Sequence, residues 1–548
     1  MLDKLILPKA KVWLQSPDCN VKSVIDYIEK AGYLREPQRE AIEVYLFLKL
    51  AGQNRPLWRL FCEGFFASAE DLSKFNINQT AREVLERDGA ARSLFFWARA
   101  QDASGKRPGS LENYLINNVQ HLDCGSIIKS FFYGVEYTDY LFSLPMGAGK
   151  TYLMAALLYL DLYFANNEPE NPLFAHNFLV LIPSGMKSSI LPSLKTIERF
   201  EPHWVIPEPA AGNLKRLIKF EVLDQPRTAK RSNKARNPNA QKLAQHQPFD
   251  SLMGLVAVVN AEKVILDRLE LTQQLELVEK TDDEKDKLAN ELRNLIGKIP
   301  NLQIHIDEVH HATDSDVKLR QVVNNWSRGG TINSVLGYSG TPYFSEKFEV
   351  TSDVKIESSQ ITNTVYYYPL TRAIKQFLKK PTVKPISELN SLEIVERGVA
   401  EFLTEYGMKT YAGGTTAKLA IYCGTIERLE EEIYPFLTGK MEVPAEDILK
   451  FHKGNKAHKI DPKAALEFAS LDTPLSHKRI VLLVQIGKEG WDCRSLTGVI
   501  LSQKGDCPTN MVLQTSCRPL RQVVKGDYET AGVWLNADNA KLLDKQLK

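Results

Sequence analysis

The chain has 548 residues, 43% of them apolar and 25% charged, a composition ordinary for a globular protein and a length too great for one hydrophobic core, so two to four domains are expected. A net charge of +2 excludes a bulk polycation, although not a basic channel between acidic faces. Cys19, Cys62, Cys124, Cys423, Cys493, Cys507 and Cys517 lie far apart without a C-x-x-C pair, which argues for reduced thiols and against a zinc ribbon.

Met1 is followed by mixed sequence, without the basic and apolar regions of a signal peptide. The longest apolar stretch, 154–164, contains Asp161 and is too short to span a bilayer, so a cytoplasmic protein is expected. Residues 1–135 read as a mainly helical region, with apolar residues at helical spacing over 41–50 and 81–96 and polar breaks such as 102–110. A first α/β domain is expected over 136–350, because short apolar runs at 140–144, 178–182, 256–259, 302–306 and 335–338 read as buried parallel strands. Two inserts interrupt it. Residues 213–247 bring together Arg227, Lys230, Arg231, Lys234 and Arg236, as either a solvated loop or a nucleic-acid contact. Residues 262–296, rich in Leu, Glu and Lys, read as a long helix or helical hairpin. A polar linker over 351–384 leads to a second α/β domain, 385–548, with strands at 419–423, 480–484, 498–501 and 532–535. The helical run from Asn539 carries no stop signal before Lys548, so a longer natural chain, or a partner that completes it, is expected.

The strongest local signal is Leu144-Pro-Met-Gly-Ala-Gly-Lys-Thr151, between an apolar strand and a long apolar helix. A loop in that setting points backbone N–H groups and a helix N-terminus at phosphate oxygens. Gly147, Ala148 and Gly149 form the phosphate-cradling turn, Lys150 would reach the β- and γ-phosphates, and the Thr151 hydroxyl would bind Mg²⁺. Leu144 stands where the pattern G-x-x-x-x-G-K-[ST] has its first glycine. The second signal is Asp307-Glu-Val-His310, delivered to the carboxyl end of an apolar strand. Asp307 suits Mg²⁺, and Glu308 suits orienting and deprotonating an attacking water. His310 and His311 are neighbours on the chain, and strand neighbours point to opposite faces, which disfavours a shared metal.

In this order the motifs resemble those of superfamily 2 helicases of the DEAD/DEAH kind, and most of all the motor subunit of type III restriction enzymes. Ser339-Gly-Thr341 is similar to the element that couples hydrolysis to strand movement, and His310 belongs to the same coupling set. Gly487-Lys-Glu-Gly-Trp-Asp492 resembles motif V, with Gly490 and Asp492 in nucleotide-contacting positions. Gln514-Thr-Ser-Cys-Arg518-Pro-Leu-Arg521 resembles motif VI, with Cys517 in place of the family glycine. The resemblance implies two tandem RecA-like domains, ATP and Mg²⁺ as ligands, and Arg518 and Arg521 reaching from the second domain to the γ-phosphate held by the first. It covers roughly residues 135–540.

Gln38, in Leu34-Arg-Glu-Pro-Gln-Arg-Glu-Ala-Ile42, resembles the glutamine that reads adenine, a task suited to an amide with both donor and acceptor. The alternative is an ordinary capped surface helix. Its distance from Lys150 requires residues 50–130 to form an inserted helical domain. Ser184 and Lys187, Asn260 and Lys263, and Thr425 occupy places where such motors hold the sugar-phosphate backbone, although each can equally serve a helix cap.

The function implied is an ATP-driven translocase or helicase on double-stranded DNA in a restriction-like or anti-phage assembly, with a protein partner for sequence recognition or cleavage. No P-D-x(n)-[DE]-x-K arrangement follows a strand, so cleavage is not expected of this chain. An RNA-dependent helicase and an ATP-gated clamp are the alternatives.

Overall fold

The structure is a computed structural model and describes all residues outside 1, 68–71, 101–108, 183–194, 224–236, 265–290, 310–313, 342, 350–354, 387–390, 460, 485–490, 492, 503–508, 525 and 548. The chain divides into two units, Met1–Leu144 with Gly149–Tyr367, and Pro145–Ala148 with Tyr368–Lys548.

In the first unit, eight α-helices are described ahead of the first strand: α1 (Asp3–Leu14), α2 (Lys22–Ala31), α3 (Glu36–Leu50), α4 (Leu57–Cys62), α5 (Gln79–Arg87), α6 (Gly89–Arg99), α7 (Gly109–Asn118) and α8 (Cys124–Phe131). The helical periodicity over 81–96 is cut in two at Asp88. Its Oδ1 accepts from the Ala90 and Ala91 amides at 2.8 and 3.2 Å and caps α6. Gly89 packs so closely that an added Cβ would lie 2.9 Å from the Cys62 carbonyl oxygen.

Seven strands follow in one all-parallel sheet: β1 (Asp139–Ser143), β2 (Asn177–Ile182), β3 (Lys219–Val222), β4 (Leu255–Asn260), β5 (Leu302–Ile306), β6 (Ile332–Ser339) and, after the two-stranded β7 (Tyr343–Glu349) and β8 (Lys355–Gln360), β9 (Thr364–Tyr367). Their spatial order is β3-β4-β2-β5-β6-β1-β9. The central strands are buried on both faces, which is why they read as continuous apolar runs. The 154–164 stretch lies within α9 (Lys150–Asn167), a helix buried around most of its circumference. No described helix is long and apolar enough to cross a membrane.

The basic insert 213–247 is ordered at both ends, forming much of the helix Ala210–Leu217, then β3 and the helix Pro238–Ala244. The five clustered basic residues lie outside the described residues. In 262–296, residues 262–264 form the end of a short 3-10 turn, 265–290 lie outside the described residues, and 291–296 are helical, with Leu292 and Ile296 packed into the first core.

The second unit is a six-stranded all-parallel sheet, formed by β10 (Lys380–Ile386), β11 (Lys418–Tyr422), β12 (Ile448–Phe451), β13 (Ile480–Leu483), β14 (Leu496–Leu501) and β15 (Thr530–Asn536), in the order β10-β15-β14-β11-β13-β12. Residues 351–384, expected as a linker, contain β8, β9, the helix Leu370–Gln376 and much of β10. Trp534 anchors this core, fully buried, with its Nε1 donating to Glu401 Oε2 at 2.9 Å. β10 carries Pro381 and Pro385 and pairs with β15, the Lys380 amide donating to the Glu529 carbonyl at 2.9 Å. The chain therefore has two RecA-like α/β domains in tandem, with a helical N-terminal region that belongs to the first unit.

Candidate functional site

Parallel strands all end on one edge of a sheet, so chemistry carried at strand ends is gathered there. In the first unit β6 lies between β1 and β5, with Ser143 in register with Ser339 and Ile306 with Gly337. The Leu144 amide donates to the Ser339 carbonyl at 3.0 Å, and the Val309 amide to the Tyr338 carbonyl at 2.8 Å. Three neighbouring strand ends thus bring together the start of the glycine-rich turn, the Ser339–Thr341 segment, and Asp307 with Glu308. The Thr341 amide bonds Ser339 Oγ at 3.1 Å, while buried Thr341 Oγ1 has no hydrogen-bond partner among the described residues.

Gly147 and Gly149 have φ of 82° and 86°, values that glycine adopts without strain. α9 begins directly after Gly149 with no side-chain cap on its N-terminus, leaving its first N–H groups for an anion. Lys150 Nζ and Glu308 Oε1 meet at 2.6 Å, with side-chain exposures of 10% and 22%. Glu308 holds a left-handed backbone, φ 55°, in the tight turn after β5, which costs a non-glycine residue about 1 kcal/mol. Asp307 precedes it, its amide donating to the Leu181 carbonyl at 3.0 Å. Left-handed glycines, an open helix N-terminus, a lysine and the Asp307 carboxylate suit a magnesium nucleotide, since Mg²⁺ needs only one or two protein oxygens besides phosphates.

Gln38 caps its own helix and also reaches the glycine-rich turn. It closes a capping box at the start of α3, Oε1 accepting from the Arg35 amide at 2.8 Å. It is nevertheless buried, and its Nε2 donates to the Gly149 carbonyl at 2.9 Å. A Cβ on Gly149 would lie 2.5 Å from that nitrogen, so only glycine admits the contact. The amide retains one N–H and one lone pair for a further partner.

In the second unit, Arg518 and Arg521 follow the helix Thr509–Ser516 across a single 3-10 turn. Both guanidinium groups donate to one acceptor, the Trp491 carbonyl, at 2.7 and 3.3 Å. The Trp491 ring stacks on Phe468 at 5.0 Å. Burial pushes up the Tyr422 hydroxyl, opposed by the Arg518 guanidinium. Gln514 is buried, and its Nε2 finds no partner among the described residues. Cys517 has φ −86° and ψ −7°, so this position does not call on the conformational freedom of glycine; burial pushes its thiol up to about 12.

Under this segment, the Lys379 amide donates to the Leu520 carbonyl at 2.6 Å, and its Nζ lies 3.4 Å from Glu529 Oε2. Glu529 in turn accepts from the Val523 and Val524 amides at 3.0 and 2.8 Å. Burial pushes Lys379 down to about 8, against the pull of Glu529. Lys379→Ala should therefore cost about 3 kcal/mol by leaving a buried carboxylate without its counter-charge. Thermal melts would show this as a lowered Tm that Lys379→Met/Glu529→Gln largely restores.

Asn260 ends β4 in register with Ile182, and Lys263 Nζ lies 3.5 Å from the Leu223 carbonyl. Thr425 serves as a helix cap, its Oγ1 accepting from the Arg428 amide at 3.2 Å. Ser184, Lys187, His310, Gly490 and Asp492 lie outside the described residues. Sequence reasoning passed over Tyr33 and Tyr152, both of which stack on Trp204, at 5.4 and 5.7 Å. The Tyr152 ring lies 3.6 Å from where a Gly149 Cβ would stand; its place two residues beyond Lys150 was the available signal.

Neither a family model nor a curated protein matches the chain. Among solved structures it is similar to the ATP-dependent Type ISP restriction-modification enzyme LlaBIII bound to DNA, with TM-score 0.45 and 14% identity over 76% of this chain and 28% of that one. A fragment described as a type I restriction enzyme HsdR subunit from Vibrio vulnificus YJ016 gives TM-score 0.40 and 13% identity over 75% of this chain and 63% of that one. The chain thus spans less than two thirds of either.

Proposed function

We propose that the chain is an ATP-hydrolysing motor that moves along nucleic acid, with duplex DNA as its track, in a restriction-like or anti-phage assembly whose partner supplies sequence recognition or cleavage. The observation that carries the ATPase reading is the meeting of Lys150 and Glu308, beside Asp307, at one sheet edge. Duplex DNA, the assembly and the partner come from the motif resemblance.

Lys150 and the open N-terminus of α9 bind the phosphates, and Thr151 with Asp307 would hold Mg²⁺, which would supply charge neutralisation at the phosphoryl oxygens. When phosphate oxygens replace Glu308 at Lys150, the carboxylate is released to orient and deprotonate water. Arg518 and Arg521 offset the charge that builds on the γ-phosphate. Gln38 holds the base edge, with the Tyr33, Trp204 and Tyr152 rings nearby as stacking surface.

The test is ATP hydrolysis by the purified chain alone and with duplex DNA, single-stranded DNA or duplex RNA, with Lys150→Ala as control. Stimulation by duplex DNA is expected, with turnover lowered at least about 100-fold in the variant. Stimulation by RNA alone would make the chain an RNA-dependent helicase. Nucleotide binding without turnover under any condition would make it a clamp.

A further inference from the structure

Helix α3 is tied to α9 at two points. Near its N-terminus Gln38 bonds Gly149, and near its C-terminus Lys49 Nζ lies 3.0 Å from Asp161 Oδ2, both side chains fully buried. The two points are eleven residues apart on α3 and twelve apart on the α9 side, so the helices run parallel with matched spacing over about 16 Å.

The second tie is a buried polar network, in which Gln303 Oε1 alone finds no partner among the described residues. Asp161 Oδ1 accepts from the Tyr45 hydroxyl at 2.5 Å, and Oδ2 from the Ala175 amide at 2.9 Å. Gln303 Nε2, on β5, lies 3.1 Å from Asp161 Oδ2, 2.8 Å from the Tyr45 hydroxyl and 2.9 Å from Ser334 Oγ of β6. Lys49 Nζ also donates to Asn333 Oδ1 at 2.6 Å. Burial pushes the Lys49 ammonium down, opposed by Asp161. Apolar side chains of the same volume would join two helices equally well and tolerate a slide along the groove. A buried ion pair is a weak adhesive, but it fits in one register only.

We infer that Lys49 and Asp161 are positioning residues that fix the register of α3 against α9 and so hold the Gln38 amide on Gly149. The consequence for ATP rests on the function proposed above. Slippage of α3 would displace the base-facing amide while leaving Lys150 and Glu308 where they are, so it acts on nucleotide affinity rather than on turnover.

The experiment compares the full chain with Lys49→Met/Asp161→Leu, which removes both charges together, and with the milder Tyr45→Phe. Hydrogen exchange over residues 36–41 and steady-state ATPase are measured below the Tm of each. In the double variant those amides should exchange at least about tenfold faster, and the ATP KM should rise about fivefold or more with kcat within about twofold. Tyr45→Phe should move both readouts the same way by less, and it decides the matter if the double variant does not fold. Unchanged exchange at 36–41 with an unchanged KM, in a folded variant, would overturn the positioning role. A wild-type chain that hydrolyses no ATP would count against the proposed function instead, and exchange alone would then decide for or against the register role.

Discussion

Glu308→Gln is expected to lower ATP turnover by about 10³-fold, within the range for loss of a general base, while nucleotide binding is kept or tightened. Glutamine preserves the size of the side chain and leaves the turn at φ 55° as it is, so the fold should persist. The amide loses both the basicity needed at water and the charge that pairs with Lys150 at 2.6 Å. With that competitor gone, phosphate binding should tighten a few-fold, as expected for a partly exposed ion pair. Single-turnover hydrolysis with a fluorescent-nucleotide titration reads both effects. A variant with near-full turnover would remove Glu308 from the chemistry.

Arg518→Ala should reduce turnover by about 10³-fold, the lower end of what an arginine at a transferring phosphoryl group contributes, with a much smaller change in ATP KM. Arg518→Lys should recover little, because one ammonium cannot hold the Trp491 carbonyl and a phosphate oxygen in the same planar fork. Arg518 is buried, so a melt must accompany the kinetics: a folded variant with normal kcat sinks the assignment. Arg521, half-buried on the same carbonyl at 3.3 Å, should give a smaller loss when replaced by alanine.

The central strands were legible in the sequence because both of their faces are buried. β1, β2, β4, β5, β6, β11, β13, β14 and β15 all coincide with apolar runs to within a few residues. The strands missed in the two large sheets are the four at their edges: β3 and β9 in one, β10 and β12 in the other. β3 and β10 are partly exposed, so they tolerate sequences such as Lys-Phe-Glu-Val or Lys-Pro-Thr-Val-Lys-Pro-Ile that lack an apolar run, whereas β9 is buried over 364–366 and is only four residues long. The segments carrying Lys150, Asp307, Glu308, Arg518 and Arg521 stood out for the same reason, since each adjoins a buried element. Lys49 and Asp161 were harder to see. Each is a charge inside an apolar stretch, and such a charge announces a buried partner without naming it.

The prolines of β10 bear on how the protein behaves in crowded solution. Along a strand, alternate amides point to opposite sides, and the Lys380 amide points to β15. The amides of 381, 383 and 385 therefore point away from the sheet, and two of those three positions are proline. That border offers Val383 as its one outward donor, where an unmodified strand would offer three. A stray strand from another molecule finds too few hydrogen bonds there to add on. The second domain is thereby guarded on that side against growth into a multi-chain sheet, a protection that Pro381→Val/Pro385→Val would remove while leaving the domain's own hydrogen bonds untouched.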